Sequence, residues 1–402
     1  MNLFSAEMRR DPFAAYDDLR RDSPVFRVPP PFDGWMVFDY DGVRQVLQDH
    51  EAFSSQVPAP RNWFISFDAP RHVLQRTLIS KALTPRLIAQ LEPRIRDCSR
   101  ELLDTVEPSP AIDLASEYSS PLARMVIAGM IGIPAADWPT YQRWSDTILR
   151  LSDTRSFGPE AEASMLDFAE VTAEMSAWLE DLIQQRREAP ADDLLTRLLE
   201  ADVDGAHLSH EEILGFIQLL TVAGQETASG VITNAVLCLA EAPEQMERLR
   251  AHPELLGSAV EEVLRFRSPL QWVMRTARRG IALHGFRIPP GALVVPVIAS
   301  ANRDTRVFRA PNSFDIARDP NPHLAFGSGV HACLGAPLAR MEARIALTDL
   351  MTRFPRLELA LDGPWEPRRA LHAHGPRRLP LRLTNTDAQH RNGAAVHAFH
   401  GE

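Results

Sequence analysis

A mainly α-helical protein with small β-sheets is what this sequence predicts, on three observations. Apolar residues recur at helical spacing through most of the first two-thirds of the chain. Strand-like runs are short and gather in the final third. No internal repeat and no long linker divides the chain. Its 402 residues exceed the usual size of one domain, yet compact enzymes of this length can keep a continuous core, so residues 1–402 read as a single domain.

Taken in order, the elements have local reasons. Asp11-Pro12 opens a helix toward Arg21, with Asp as cap and Pro at the first helical position. Gly34-Trp35-Met36-Val37-Phe38 reads as a strand, and Gly42 to Gln48 as a short helix. Helical patterns follow at Thr84 to Glu107, Leu114 to Gly132 and Pro159 to Arg187. The longest helix begins at Ser209, which forms a capping-box pattern with Glu212, and runs to about Ala242, before Pro243. At 1.5 Å per residue it spans on the order of 50 Å, enough to cross the molecule, so Ile213, Ile217, Leu219, Leu220 and Val222 should be buried. In its middle, Gly224 weakens the ladder and Thr227 can bond back one turn, so a bend is expected there. Strand-like runs return at Ile281 to Ile288 and Ala292 to Ile298, with Pro289-Pro290-Gly291 as the turn between them. Roughly Thr384 to Glu402 is a polar tail.

Bulk properties exclude several classes of function. Hydrophobic content of 45% and charged content of 24% are those of an ordinary globular protein, and a net charge of −10 argues against nonspecific nucleic-acid binding. Cys98, Cys238 and Cys333 are too few and scattered for a disulfide framework, which suits a reducing cytoplasm. Cys98 and Cys238 sit in helical patterns as packing residues. The N-terminus has no signal-peptide core, and no run of ~18 apolar residues could cross a bilayer, so a soluble cytoplasmic protein is expected. No G-x-S-x-G supports a hydrolase. The clustered His372, His374, His397 and His400 read as solvated rather than metal-binding.

Chemistry concentrates in Phe326-Gly327-Ser328-Gly329-Val330-His331-Ala332-Cys333-Leu334-Gly335, which precedes the helical pattern Ala336 to Arg344. A thiolate at Cys333 would lie near a helix N-terminus, whose free N–H groups should lower its pKa. Gly327, Gly329 and Gly335 permit tight turns and the approach of a flat cofactor. Gly327, Gly329 and Ala332 also match G-x-G-x-x-A loosely. The approach Asp319-Pro320-Asn321-Pro322 is turn chemistry, however, and not the strand that a dinucleotide site needs.

These ten residues resemble the haem-binding loop of the cytochrome P450 family, the haem-thiolate monooxygenases, with every fixed position filled. The resemblance runs from about Asp11 to Leu383. It implies a prism-shaped, largely helical fold, haem b as cofactor, and Cys333 as the axial iron ligand. Phe326, Gly327, His331 and Gly335 then surround the haem. Ala223-Gly224-Gln225-Glu226-Thr227 resembles the family's oxygen-activating element, which places Ala223 and Gly224 against the haem and makes Glu226 and Thr227 the catalytic pair for proton delivery. Asp68 to Arg76 resembles the segment whose His and Arg bind a propionate, here His72 and Arg76, and Arg275 and His331 fit the other such positions.

By spacing alone, Glu262 and Arg265 would be an exposed ion pair, with Glu261 competing for Arg265. The family's Glu-x-x-Arg motif implies instead a buried pair with a third partner, often an Arg, near Asn312 to Arg318. A substrate pocket is expected from Leu219, Val222 and Ala223 on the long helix, from Leu270, Gln271, Trp272 and Val273, and from Trp63 and Phe64. Gln271 would be its one obvious polar anchor. The lid segment Val57 to Ser66 looks short for the family.

The resemblance implies insertion of one oxygen atom from O2 into a hydrophobic substrate, by hydroxylation or epoxidation. A terpenoid or steroid is favoured, with a fatty acid or polyketide as alternative. Electrons would come from a separate ferredoxin and ferredoxin reductase, and the protein would work as a monomer. A peroxide-driven haem enzyme would not need Glu226 and Thr227, and a haem-binding sensor or carrier would need neither that pair nor a pocket above the iron.

Overall fold

The capping box at Ser209 forms with both arms: Ser209 Oγ accepts from Glu212 N at 3.2 Å, and Glu212 Oε2 accepts from Ser209 N at 3.0 Å. It starts a helix, His210–Glu241, that ends at Ala242. The computed structural model describes residues 5–30, 32–56, 63–106, 111–153 and 159–384. Within these, the central helix packs against Ser120–Ile131, Trp138–Asp153, Leu256–Phe266 and Ala336–Arg353. Its buried polar residues have partners, which is why an apolar helix tolerates them. Gln225 Oε1 accepts from Ser145 Oγ at 2.5 Å, and Thr233 and Ser119 share a hydrogen bond at 3.0 Å.

The helix is continuous through Gly224. That glycine serves close packing: a Cβ there would lie 2.7 Å from Ile127 Cδ1. Both expected packing cysteines, Cys98 and Cys238, are buried in the same large core as this contact.

Among the described residues, ten strands make three small sheets. They are β1 (Val25–Val28), β2 (Gly34–Val37), β3 (Phe53–Ser54), β4 (Ala111–Asp113), β5 (Arg275–Ala277), β6 (Ile281–Leu283), β7 (Phe286–Ile288), β8 (Leu293–Pro296), β9 (Arg356–Leu359) and β10 (Pro380–Thr384). The largest sheet has the order β1-β2-β8-β5-β3, the second β4-β10-β9, and β6 pairs only with β7. The first two sheets therefore join strands from the first third of the chain with strands from the last third.

Several boundaries differ from expectation. Pro12 occupies the N-cap of Phe13–Asp22, and Asp11 Oδ1 reaches only Phe13 N, at 3.4 Å. Thr84 to Glu107 divides at Leu91 into Pro85–Gln90 and Glu92–Val106, and Leu114–Ser119 is a π turn before Ser120–Ile131. Ile281 to Ile288 is a hairpin, because His284 and Gly285 turn at φ +49° and +79°. Ile298, expected as strand, begins the helix Ile298–Ala301. The expected tail beyond Thr384 lies outside the described residues.

At the N-terminus, the helix Ala6–Arg10 ties down a later segment. Arg9 Nη1 donates to the carbonyls of Arg368 and Arg369 at 2.8 Å, and Arg10 Nε to that of Trp365 at 2.8 Å. His374, expected in solvent, is buried there against Phe13 and Trp365, with Nε2 3.2 Å from Arg10 O. Burial holds its pKa near 3.

Candidate active site

Gly327 and Gly329 take φ of +71° and +75°, and the chain around them closes on itself. Gly327 N donates to Leu324 O at 2.8 Å, and Cys333 N donates to Phe326 O at 2.8 Å, just before the helix Ala336–Arg353. Gly329 answers to another neighbour than a cofactor: a Cβ there would meet Leu47 O at 2.9 Å, at the end of Tyr40–Gln48. The Cys333 side chain remains exposed although its surroundings desolvate it, so the sulfur lies at the floor of a recess. That desolvation pushes the thiol pKa up, and the N–H groups of Gly335 and Ala336 with the Arg76 guanidinium only partly offset it. The expected lowering by the helix terminus is outweighed.

Hydrogen-bond donors converge beside this loop. His72, in the helix Arg71–Ala82, stacks on Phe64 at 5.7 Å and lies 3.8 Å from the His331 ring, centroid to centroid. His331 Nε2 is 2.9 Å from Ser55 Oγ. Arg76 Nη2 donates to Ala332 O at 2.6 Å, and Arg275 Nη1 to Met274 O at 2.8 Å. Neither arginine makes an ion pair among the described residues, and the buried His72 Nε2 has no partner there. Burial, with Arg76 adding to it, lowers the His72 pKa to about 4; burial, with His72 adding to it, lowers that of His331 to about 3. Burial likewise lowers Arg275 to about 10. Buried donors short of anions are an environment that bound carboxylates would complete.

On the central helix, Ala223 is exposed, and Leu220 and Thr227 are half-buried. Their spacing puts all three on one helix face. Thr227 Oγ1 donates to Ala223 O at 2.7 Å. Glu226 Oε2 lies 3.8 Å from His372 Nε2, and Arg368 Nη1 reaches the Glu226 carbonyl at 3.4 Å. Among the described residues no cluster of three or more His, Cys, Asp or Glu side chains could hold a metal ion, and no helix is long and apolar enough to cross a membrane.

A sequence model of the cytochrome P450 family matches residues 1–370. The chain belongs to the cytochrome P450 family. It is therefore a haem-thiolate monooxygenase, and the family implies a haem, a hydrophobic substrate, O2 and electron donors. It is 41% identical over 364 residues to the putative cytochrome P450 YjiB of Bacillus subtilis (strain 168), covering 88% of this chain and 90% of that one. It is 37% identical over 393 residues to a methyl-branched lipid omega-hydroxylase of Mycobacterium tuberculosis (strain ATCC 25618 / H37Rv), covering 91% and 90%. The crystal structure of CYP109E1 from Bacillus megaterium in complex with testosterone matches with a TM-score of 0.87 at 37% identity, covering 93% of this chain and 99% of that one.

For this P450, the residues present fit a haem. The recess has an accessible cysteine at its floor, and unpaired cationic groups and the orphaned His72 Nε2 at its side. Glu262 and Arg265 are fully buried and meet bidentately at 2.7 and 2.8 Å. Arg318 Nε joins them, 3.0 Å from Glu262 Oε2, and Asp315 N donates to Glu262 Oε1 at 3.0 Å. Glu261, the expected competitor for Arg265, turns instead to Arg340 and His323.

Much of the expected pocket is placed elsewhere. Gln271 and Trp272 are buried and line a small cavity with Met8, Arg9, Tyr16 and Leu371, because they face the N-terminal core. In the same run Leu270 and Val273 stay half-exposed. Leu219 and Val222 are buried in the helix-packed core, and the open face belongs to Leu220 and Ala223. Phe64 sits between His72 and Phe216, where it supports the histidine, and Trp63 packs half-buried on the large core. Residues 57–62 of the lid lie outside the described residues. Sequence reasoning missed Ser55, His372 and Arg368 as neighbours of the site. Leu220 was readable as lying on the Ala223 face by helical spacing; the other three depend on long-range contacts.

Proposed function

We propose that Cys333 is the axial thiolate of a bound haem b, and that His72, Arg76, Arg275 and His331 receive its two propionates. The observation that carries this reading is the accessible sulfur on the glycine loop beside buried donors without anions. Arg forks suit carboxylates bidentately, and each neutral imidazole can donate one N–H. Phe326, Gly327 and Gly335 flank the ligand, and Ala223 leaves room on the opposite side. When bound, the haem supplies reductive O2 activation, with the thiolate favouring O–O cleavage.

The chain's own part is proton control and exclusion of water. Thr227 uses its proton on Ala223 O, which leaves its oxygen as an acceptor that can hold a water molecule. Glu226 is the carboxylate that can return protons to that position; His372 Nε2 lies 3.8 Å from it, and Arg368 reaches the Glu226 backbone carbonyl. Electrons reach the site from a separate ferredoxin and its reductase, and the protein acts as a cytoplasmic monomer. Heavy-isotope O2 tests the reaction. One labelled oxygen should enter the product in turnover driven by ferredoxin and reductase, whereas turnover only with added peroxide would favour the peroxide-driven reading.

The substrate is a rigid neutral hydrophobe, a steroid or terpenoid. With Gln271 turned away, Leu220, Ala223, Leu270 and Val273 offer an apolar surface, so affinity comes mainly from burial at ~25 cal/mol per Å². The testosterone complex of CYP109E1 supports this class. The relative named for a methyl-branched lipid keeps a fatty-acyl substrate as the second reading; its carboxylate anchor would be Arg61, a cation of the lid segment in the sequence that lies outside the described residues. Low- to high-spin shifts decide between them. Neutral steroids and terpenoids should bind more tightly than long-chain carboxylates. Tight carboxylate binding that disappears in Arg61→Ala would overturn the neutral-substrate reading.

A further inference from the structure

Adjacent glutamates on the helix Leu256–Phe266 face different parts of the molecule. Glu262 holds Arg265, Arg318 and the segment at Asp315. Glu261 instead grips Arg340 through both carboxylate oxygens, at 2.6 and 2.8 Å, and lies 3.0 Å from His323 Nε2. Burial raises the Glu261 pKa, but Arg340 and His323 outweigh it and hold it at about 2, so the grip is ionic at neutral pH. His323 Nδ1 accepts from Ala325 N at 3.2 Å, so its proton sits on Nε2 and points to Glu261.

Both partners of Glu261 bear on Phe326. The Arg340 guanidinium lies over the Phe326 ring, 4.4 Å from its centroid, and the His323 ring lies 6.2 Å from it on centroids. Phe326 O in turn accepts the Cys333 N–H at 2.8 Å. The contacts are continuous from the carboxylate to the backbone of the cysteine.

We propose that Glu261 is a positioning residue for Cys333, acting through Arg340, His323 and Phe326. Glu262 braces the segment leading to the loop; Glu261 clamps the loop itself. A planar guanidinium fork held at both oxygens fixes the cation over the ring in a way a single ammonium does not. Loosening the clamp frees Phe326, and with it the hydrogen bond that sets where the sulfur points. The inference rests on Cys333 being the axial ligand.

The test uses the haem-loaded protein and the lifetime of the thiolate-type spectrum of its ferrous carbon monoxide complex under mild warming. Glu261→Gln keeps the side-chain shape and removes the charge. The thiolate form should then convert to a non-thiolate form roughly tenfold faster, the size expected for losing a bidentate charge-assisted contact. Arg340→Lys, which keeps the charge and loses the fork, should lie between Glu261→Gln and wild type. A wild-type lifetime in Glu261→Gln overturns the proposal. So does a Glu261→Gln protein that cannot hold haem while Arg340→Lys keeps the wild-type lifetime, since that is the behaviour of a purely structural pair. A wild-type protein with no thiolate spectrum overturns the clamp together with the ligand assignment, and it is distinguishable because it appears before any substitution is made.

Discussion

The hydroxyl of Thr227 is anchored to the Ala223 carbonyl at 2.7 Å, and its job in this account is to hold water rather than the helix. Thr227→Ala should therefore leave haem and substrate binding intact while product per reducing equivalent falls, because protons reach the wrong oxygen and peroxide escapes. Unchanged coupling would remove Thr227 from the mechanism. His374 is buried and held near pKa 3 by desolvation, against 6.5 when free. Between those values the unfolded chain carries a proton that the folded chain does not, so stability falls as pH falls. The slope is at most about 1.4 kcal/mol per pH unit. Urea unfolding from pH 6.5 downward should show a shallower loss in His374→Gln than in wild type. Parallel curves would mean that His374 is solvated after all.

At the scale of elements, the helix Leu256–Phe266 is held by charge as much as by packing. Removing one partner of a buried pair costs about 3–5 kcal/mol, because the remaining charge is stranded. Glu262→Ala strands Arg265, which is fully buried, and also releases Arg318 and Asp315 N. Expression should yield little folded holoprotein, measured as haem absorbance per unit protein. A variant with normal haem content would mean that the buried pair does not hold the fold. The spacing of Glu262 and Arg265 was readable in the sequence because it is local, and so was the capping box at Ser209. The role of Gly224 was not: nothing near it in sequence indicates Ile127, whose side chain fills the space that a Cβ would take.

Across the whole molecule, what could be read and what could not divide along the same line. The helical class, the central helix and the cysteine loop rest on short patterns whose physics is contained in neighbouring residues. Side-chain direction in irregular segments is not so contained. Leu270 to Val273 has neither helical nor strand periodicity, so only the fold shows that Gln271 and Trp272 join the N-terminal core while Leu270 and Val273 stay half-exposed. Likewise His372 approaches Glu226 because Arg9 and Arg10 pin the segment around Trp365, Arg368 and Arg369. The convergence of His72, Arg76, Arg275 and His331 on the recess of Cys333 joins distant stretches of the chain into one site, and the account turns on that sulfur. The most direct measurement is the absorption spectrum of the ferrous carbon monoxide complex of wild type and Cys333→His. Wild type should absorb at the position diagnostic of thiolate ligation, and Cys333→His should lose that band together with monooxygenase turnover. A histidine-type spectrum in wild type, or a thiolate band that survives in Cys333→His, would contradict the account.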